Sequence, residues 1–126
     1  MESPSHEASL LEPLGPSASL LAGPVPSPGD ECVQVLLQTD ALRLERIHSC
    51  GASSPPGFWY EQTEEEWVCL LRGQASVQFA DEEAPRRLGP GDSLRIKSRR
   101  RHRVLATDPA PGTIWLALFW REPPLS

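Results

Sequence analysis

The chain has 126 residues, 39% of them hydrophobic, and a formal net charge of −5. That length builds one domain with its own core, and the acidic balance argues against wholesale nucleic-acid binding. Three scattered cysteines, Cys32, Cys50 and Cys69, form no C-x-x-C pair, which argues against a disulfide framework and a thiolate zinc site. Each is expected to be a small buried hydrophobe or an idle thiol.

The N-terminus reads MESPSHEASLLEPLGP, with an acidic residue at position 2 and prolines interrupting its apolar pairs. It has no basic region followed by an unbroken apolar core, so it does not read as a signal peptide. No apolar run reaches the roughly 18–20 residues of a spanning helix. The expected location is the cytoplasm, with no membrane partner. Residues 1–31 are rich in Pro, Ser, Gly and Ala. They divide into a loose extension (1–16) and an arm (17–31) that packs on the surface of a domain spanning 32–126.

CVQVLLQ (32–38) fits a short helix or a strand, and its periodicity does not decide between them. From residue 41 onward the chain reads as strands: ALRLERIH, FWYEQ, EWVCLL, QASVQFA, DSLRIK, RHRVLA and TIWLALFW. Between them stand SCGASSPPG, RG, DEEAPRRLGPGD and TDPAPG, all turn chemistry. In QASVQFA, Ala75, Val77 and Phe79 share one face and Gln74, Ser76 and Gln78 the other, as in an antiparallel strand with one wet side. TIWLALFW is apolar on both faces, so its outer face needs a cover, either the arm or a second subunit. Seven or eight short strands without a long helical segment make an all-β sandwich or small barrel.

The segment Pro55–Trp120 resembles the small single-domain cupins, which are double-stranded β-helix (jelly-roll) barrels built from antiparallel strands. The first cupin motif is G-x5-H-x-H-x3/4-E-x6-G. Glu66 and Gly73 stand at its required separation, its two histidine positions fall on Tyr60 and Gln62, and its opening glycine falls on Ser54. In the second motif, G-x5-P-x-G-x2-H-x3-N, Gly91 and His102 match. Lys97, Arg99 and Ala106 take the proline, glycine and asparagine positions. The resemblance is closest to cupins carrying W-Y-x-Q-x-x-x-E-W and R-H-R-V. It implies a barrel that holds a small molecule, often with a metal, and names no reaction.

Strand parity supports the same site without the family. Tyr60 and Gln62 share a face; Glu66 shares one with Val68 and Leu70, and His102 one with Val104. If those valines and that leucine face the interior, Tyr60, Gln62, Glu66 and His102 converge there. A buried carboxylate and imidazole either pair with each other or hold a metal. Gln62, Glu66 and His102 are the candidate ligands for a divalent ion such as Mn²⁺, Fe²⁺, Ni²⁺ or Zn²⁺. Tyr60 is the candidate catalytic group, since a phenol can both donate and accept a proton.

The basic run KSRRRHR (97–103) reads first as a solvated strand end neutralising Glu61, Glu64, Glu65 and the Asp81–Glu83 region. Its functional alternative is an anion-attracting rim with Arg99, Arg101 and Arg103 on one strand face. His6 is expected to be idle, and His48 to have a turn or surface role. The expected partners are a small polar or anionic molecule and a second copy of the chain. A metal-dependent enzyme and a metal-free binding module both accommodate these residues; an interaction protein using the basic rim is the third reading.

Overall fold

Burial with a period of two runs along the long strands and sorts their side chains between a core and an outer surface. This computed structural model describes residues 19–122. Within them lie eight strands: β1 (Glu31–Gln38), β2 (Leu42–Ser49), β3 (Glu65–Arg72), β4 (Ala75–Phe79), β5 (Arg86–Leu88), β6 (Ser93–Ile96), β7 (His102–Thr107) and β8 (Thr113–Trp120). They form a five-stranded sheet in the order β1-β2-β8-β3-β6 and a three-stranded sheet in the order β5-β4-β7. All pairings are antiparallel. The all-β jelly-roll expectation holds.

Glu66, Val68 and Leu70 on β3 are buried, while Glu65, Trp67 and Cys69 between them are only partly so. Ala75, Val77 and Phe79 supply the facing wall from β4. Trp115, Ala117 and Phe119 of β8 complete the core with Leu88, Leu94 and Ile96. Phe79 is wholly buried, so its truncation to alanine is worth about 3–5 kcal/mol. The guanidinium of Arg100 lies 3.7 Å from its ring centroid and closes one end of this core.

The second apolar face of β8 is covered in part by the arm. Arg46 stands opposite Leu116 on the outer side of the sheet and donates to the carbonyls of Leu20 and Ala22. Arg72 donates to Leu21, and residues 29–30 exchange backbone hydrogen bonds with Cys50. Leu116, Leu118 and Trp120 stay half-buried. The expectations for residues 1–16 and for His6 lie outside the described residues.

Several local expectations are corrected. CVQVLLQ is a strand, because its edge position against β2 provides backbone partners along its length. FWYEQ is not a strand: only Tyr60 makes a bridge, to His102. Conversely, the supposed breaker DEEAPRRLGPGD contains β5, whose Arg86–Leu88 pair with Ala75–Val77. Arg99 and Arg101 precede β7, and Arg99 has φ 65°, so Arg99, Arg101 and Arg103 do not share one strand face. Arg99 occupies the glycine position of the second motif, and the left-handed backbone there is why a glycine suits it.

His48 is not at the surface. It is 1% exposed, and its Nε2 donates to the carbonyl of Pro111 at 2.7 Å. Gly112 permits that approach: with φ 97°, a Cβ on it would meet His48 Nε2 at 3.0 Å. Of the cysteines, Cys50 is buried as expected, whereas Cys32 is exposed.

Among the described residues no helix is long and apolar enough to cross a membrane.

Candidate functional site

A cavity of about 200 Å³ opens between the two sheets. Its apolar lining includes Val68, Val77, Ile96, Val104 and Phe119, and its polar lining is Tyr60, Gln62, Glu66, His102, Glu31 and Glu45. All four residues singled out in the sequence therefore meet here. Inward parity of β3 delivers Glu66. His102 is the first residue of β7, where the antiparallel pair with Phe79 sets it against the β4 wall.

The 60–62 segment is pinned to the first residue of β7 and to the turn before it by three backbone bonds. Tyr60 and His102 exchange N–H and C=O, at 2.7 and 3.1 Å, and Arg99 N–H donates to the Gln62 carbonyl at 2.6 Å. The rings of Tyr60 and His102 stack, with centroids 5.5 Å apart and planes 25° from parallel. Phe58 meets Tyr60 edge-on at 4.9 Å.

His102 Nδ1 lies 2.9 Å from the carbonyl of Arg100. A carbonyl only accepts, so Nδ1 carries the proton and Nε2 presents its lone pair. That Nε2 lies 4.0 Å from Glu66 Oε1, beyond hydrogen-bond length. The Gln62 amide nitrogen donates to the same Glu66 oxygen at 2.9 Å.

Burial pushes the Glu66 carboxyl up to about 7; the Gln62 hydrogen bond opposes this, and the nearby Glu45 and Glu64 charges add to it. Burial pushes His102 the other way, below its ordinary value. Both groups are thus driven towards their uncharged forms. The Tyr60 phenol is raised as well, by burial first and then by Glu31 and Glu66.

The donor set bears on a metal. Among the described residues no three His, Cys, Asp or Glu side chains converge on one point. Glu66 and His102 Nε2 offer one oxygen and one nitrogen donor, and a 4.0 Å separation fits a span of two bonds of roughly 2.1 Å each. Gln62, as it stands, turns its amide nitrogen rather than its oxygen towards Glu66.

Two of the five Lys/Arg side chains in the basic run, Arg100 and Arg101, meet acidic neighbours, while Arg103 donates to the carbonyls of Ser54 and Pro55. Arg100 pairs with Asp81 and Glu82, Arg95 just ahead of the run pairs with Glu65, and Arg101 lies 4.0 Å from Glu61. Glu64 is taken instead by Arg43 of β2. The guanidinium groups of Arg101 and Arg103 lie over the Trp59 ring, at 5.6 and 5.7 Å. Sequence reading missed Glu31 and Glu45, which lie in strands far from both motifs. The alternation of Glu45 and Ile47 with Arg46 and His48 is the signal that places Glu45 inward.

Comparison with known proteins agrees with the geometry. The family described as the cupin domain matches residues 50–119. A structure from Ralstonia eutropha JMP134, provisionally named a mannose-6-phosphate isomerase, is 42% identical, with a TM-score of 0.80 over 84% of this chain and 98% of that one. A cupin superfamily protein from Desulfitobacterium hafniense DCB-2 is 19% identical, with a TM-score of 0.65 over 97% and 94%. The polyketide cyclase RemF from Streptomyces resistomycificus is 22% identical, with a TM-score of 0.62 over 79% and 73%. These last two show a shared fold alone. A comparison with curated proteins gives no match. With the family matched over more than half its length and both motif remnants gathered around one cavity, the chain belongs to the cupin domain family.

Proposed function

We propose that the protein binds a small polar molecule inside its barrel, engaged by Glu66 and His102 with Gln62 and Tyr60 beside them. The observation that carries this reading is Glu66 Oε1 facing His102 Nε2 across 4.0 Å with no hydrogen bond between them. Two buried polar groups placed this way direct unused capacity into the cavity. An occupant that hydrogen-bonds to these groups gains about 0.5–1.5 kcal/mol net per bond formed.

A divalent transition ion (Mn, Fe, Ni or Zn) is the second reading, favoured by the tautomer that leaves His102 Nε2 free to coordinate. Glu66 and His102 would hold it. Gln62 joins them only with its amide turned over, at the loss of its hydrogen bond to Glu66. Such an ion, when bound, polarises a carbonyl or carboxylate oxygen. Tyr60, kept as the neutral phenol, is the group placed to donate a proton to an occupant.

The name given to the Ralstonia relative points to a sugar phosphate. No lysine or arginine is among the described residues lining this cavity, so the charge that normally holds a phosphate is not supplied inside the barrel. Pairing of two copies through the half-buried Leu116, Leu118 and Trp120 face belongs to the same proposal; sedimentation as a monomer at micromolar concentration removes it.

The test is metal content by plasma mass spectrometry after incubation with each ion and desalting, beside a thermal screen of small polar molecules. Metal retained by the wild type and lost in folded Glu66→Gln and His102→Ala supports the ion. No metal, with a small molecule that stabilises the wild type alone, leaves a metal-free binding module. Neither would sink the whole reading.

A further inference from the structure

On the β1–β2 wall of the cavity, the inward residues alternate between charge and hydrocarbon. Glu31 stands opposite Ser49, Val33 opposite Ile47, and Val35 opposite Glu45. An apolar patch of Val33 and Ile47 therefore has a carboxyl group at each end, and all four side chains line the cavity.

Glu31 is held by a relay. The Trp115 indole N–H donates to Ser49 Oγ at 3.2 Å, and Ser49 Oγ–H donates to Glu31 Oε1 at 3.1 Å. Trp115 is 6% exposed and Ser49 1%, so two buried side chains orient an exposed carboxylate over the cavity. Trp115 also lines the cavity. Across from this wall, His102 is 5% exposed and its Nε2, a bare acceptor, faces the same space without a hydrogen-bond partner. The nearest cation on the wall, Arg43, is committed to Glu45 and Glu64 and does not line the cavity.

We infer that the cavity is selective for a small organic cation, whose ammonium group is received by the relay-held carboxylate of Glu31 and whose apolar body rests on Val33, Ile47 and Trp115. The inference rests on the reading of the barrel cavity as the ligand site and adds the charge of the occupant. An ammonium donates to carboxylates and to a bare imidazole nitrogen, which are the acceptors this space offers. The aromatic side chains of Tyr60 and Trp115 in the lining suit a cation in the same way, while the Phe119 ring already holds the Arg43 guanidinium at 4.4 Å. Among the described residues a carboxylate or phosphate would meet Glu31, Glu66 and the Arg43-paired Glu45, and no cationic side chain in the lining.

The test uses three probes with one carbon framework, benzylammonium, benzyl alcohol and benzoate, titrated at pH 8 into chelator-treated protein. Binding is followed by amide NMR shifts of Val33, Val77 and Val104. Benzylammonium is expected to bind about tenfold more tightly than the alcohol, with benzoate weakest. Glu31→Gln is expected to erase most of that preference, weakening benzylammonium far more than benzyl alcohol. Equal affinity for all three, or preference for benzoate, overturns the charge assignment while leaving the cavity as the binding site. No shift at those amides with any probe at millimolar concentration overturns both.

Discussion

Tyr60 and His102 hold each other twice, through a reciprocal pair of backbone hydrogen bonds and through stacked rings 5.5 Å apart. Tyr60 is thus a positioning residue for the imidazole as well as a cavity wall. Its ring matters here apart from its hydroxyl. Tyr60→Phe is expected to change unfolding free energy by less than about 0.5 kcal/mol, and Tyr60→Ala to cost about 1–2 kcal/mol. Urea unfolding measures both. Equal losses in the two variants would assign the role to the hydroxyl instead.

Glu66 makes stability depend on pH in a direction unusual for a carboxyl group. Its folded pKa, about 7, lies above its ordinary value of 4.5, so the folded protein holds this proton more tightly than the unfolded chain. The associated stability is complete below pH 4.5 and is lost as pH rises through about 7, by roughly 3 kcal/mol in all. His102 is shifted down, and its contribution runs oppositely, lost on acidification below its ordinary value of 6.5. Subtracting the profile of Glu66→Gln from that of metal-free wild type isolates the carboxyl. Parallel profiles between pH 4.5 and 8 would contradict the burial of an uncharged Glu66.

Among the described residues the Gln62 amide is the hydrogen-bond donor that favours the ionised form of Glu66. Gln62→Leu therefore raises the Glu66 midpoint above about 7. The carboxyl ¹³C shift, followed through a pH titration, reads it directly. An unchanged or lower midpoint would show that the amide does not face the carboxylate in solution.

Much of this arrangement was legible before the fold was known. Alternation in β3 and β4 marks the inward residues, and the spacing of Glu66 to Gly73 and of Gly91 to His102 places the two halves of the site. Parity directs Tyr60, Gln62, Glu66 and His102 to one cavity, although FWYEQ forms only one bridge; its two backbone bonds, to His102 at the start of β7, do the work a strand would have done. His48 misled, because a polar residue at a strand end reads as exposed, and the carbonyl of Pro111 that accepts from its Nε2 is 63 residues away. Glu31 reads from the sequence as the end of the arm for a related reason. Its role depends on a register with Ser49 and a bond to Trp115 that no local pattern encodes.

Arg99 offers a test of the motif itself. It is exposed and holds φ 65° where the second cupin motif has glycine. A left-handed backbone costs a non-glycine residue about 1–2 kcal/mol, partly offset by the greater freedom glycine loses on folding. Arg99→Gly is expected to stabilise the protein by about 0.5–1 kcal/mol in urea unfolding. Loss of stability would mean that the Arg99 side chain makes compensating contacts in solution.

The central claim is that occupants of this protein bind at the Glu66–His102 pair inside the barrel. A thermal-shift screen of divalent ions and small polar or cationic molecules tests it most directly, run on wild type, Glu66→Gln and His102→Ala together. The account predicts at least one compound that raises the wild-type midpoint by several degrees at saturating concentration, with the shift abolished or strongly reduced in both folded variants. Stabilisation of equal size in all three proteins would place the binding elsewhere and contradict the claim.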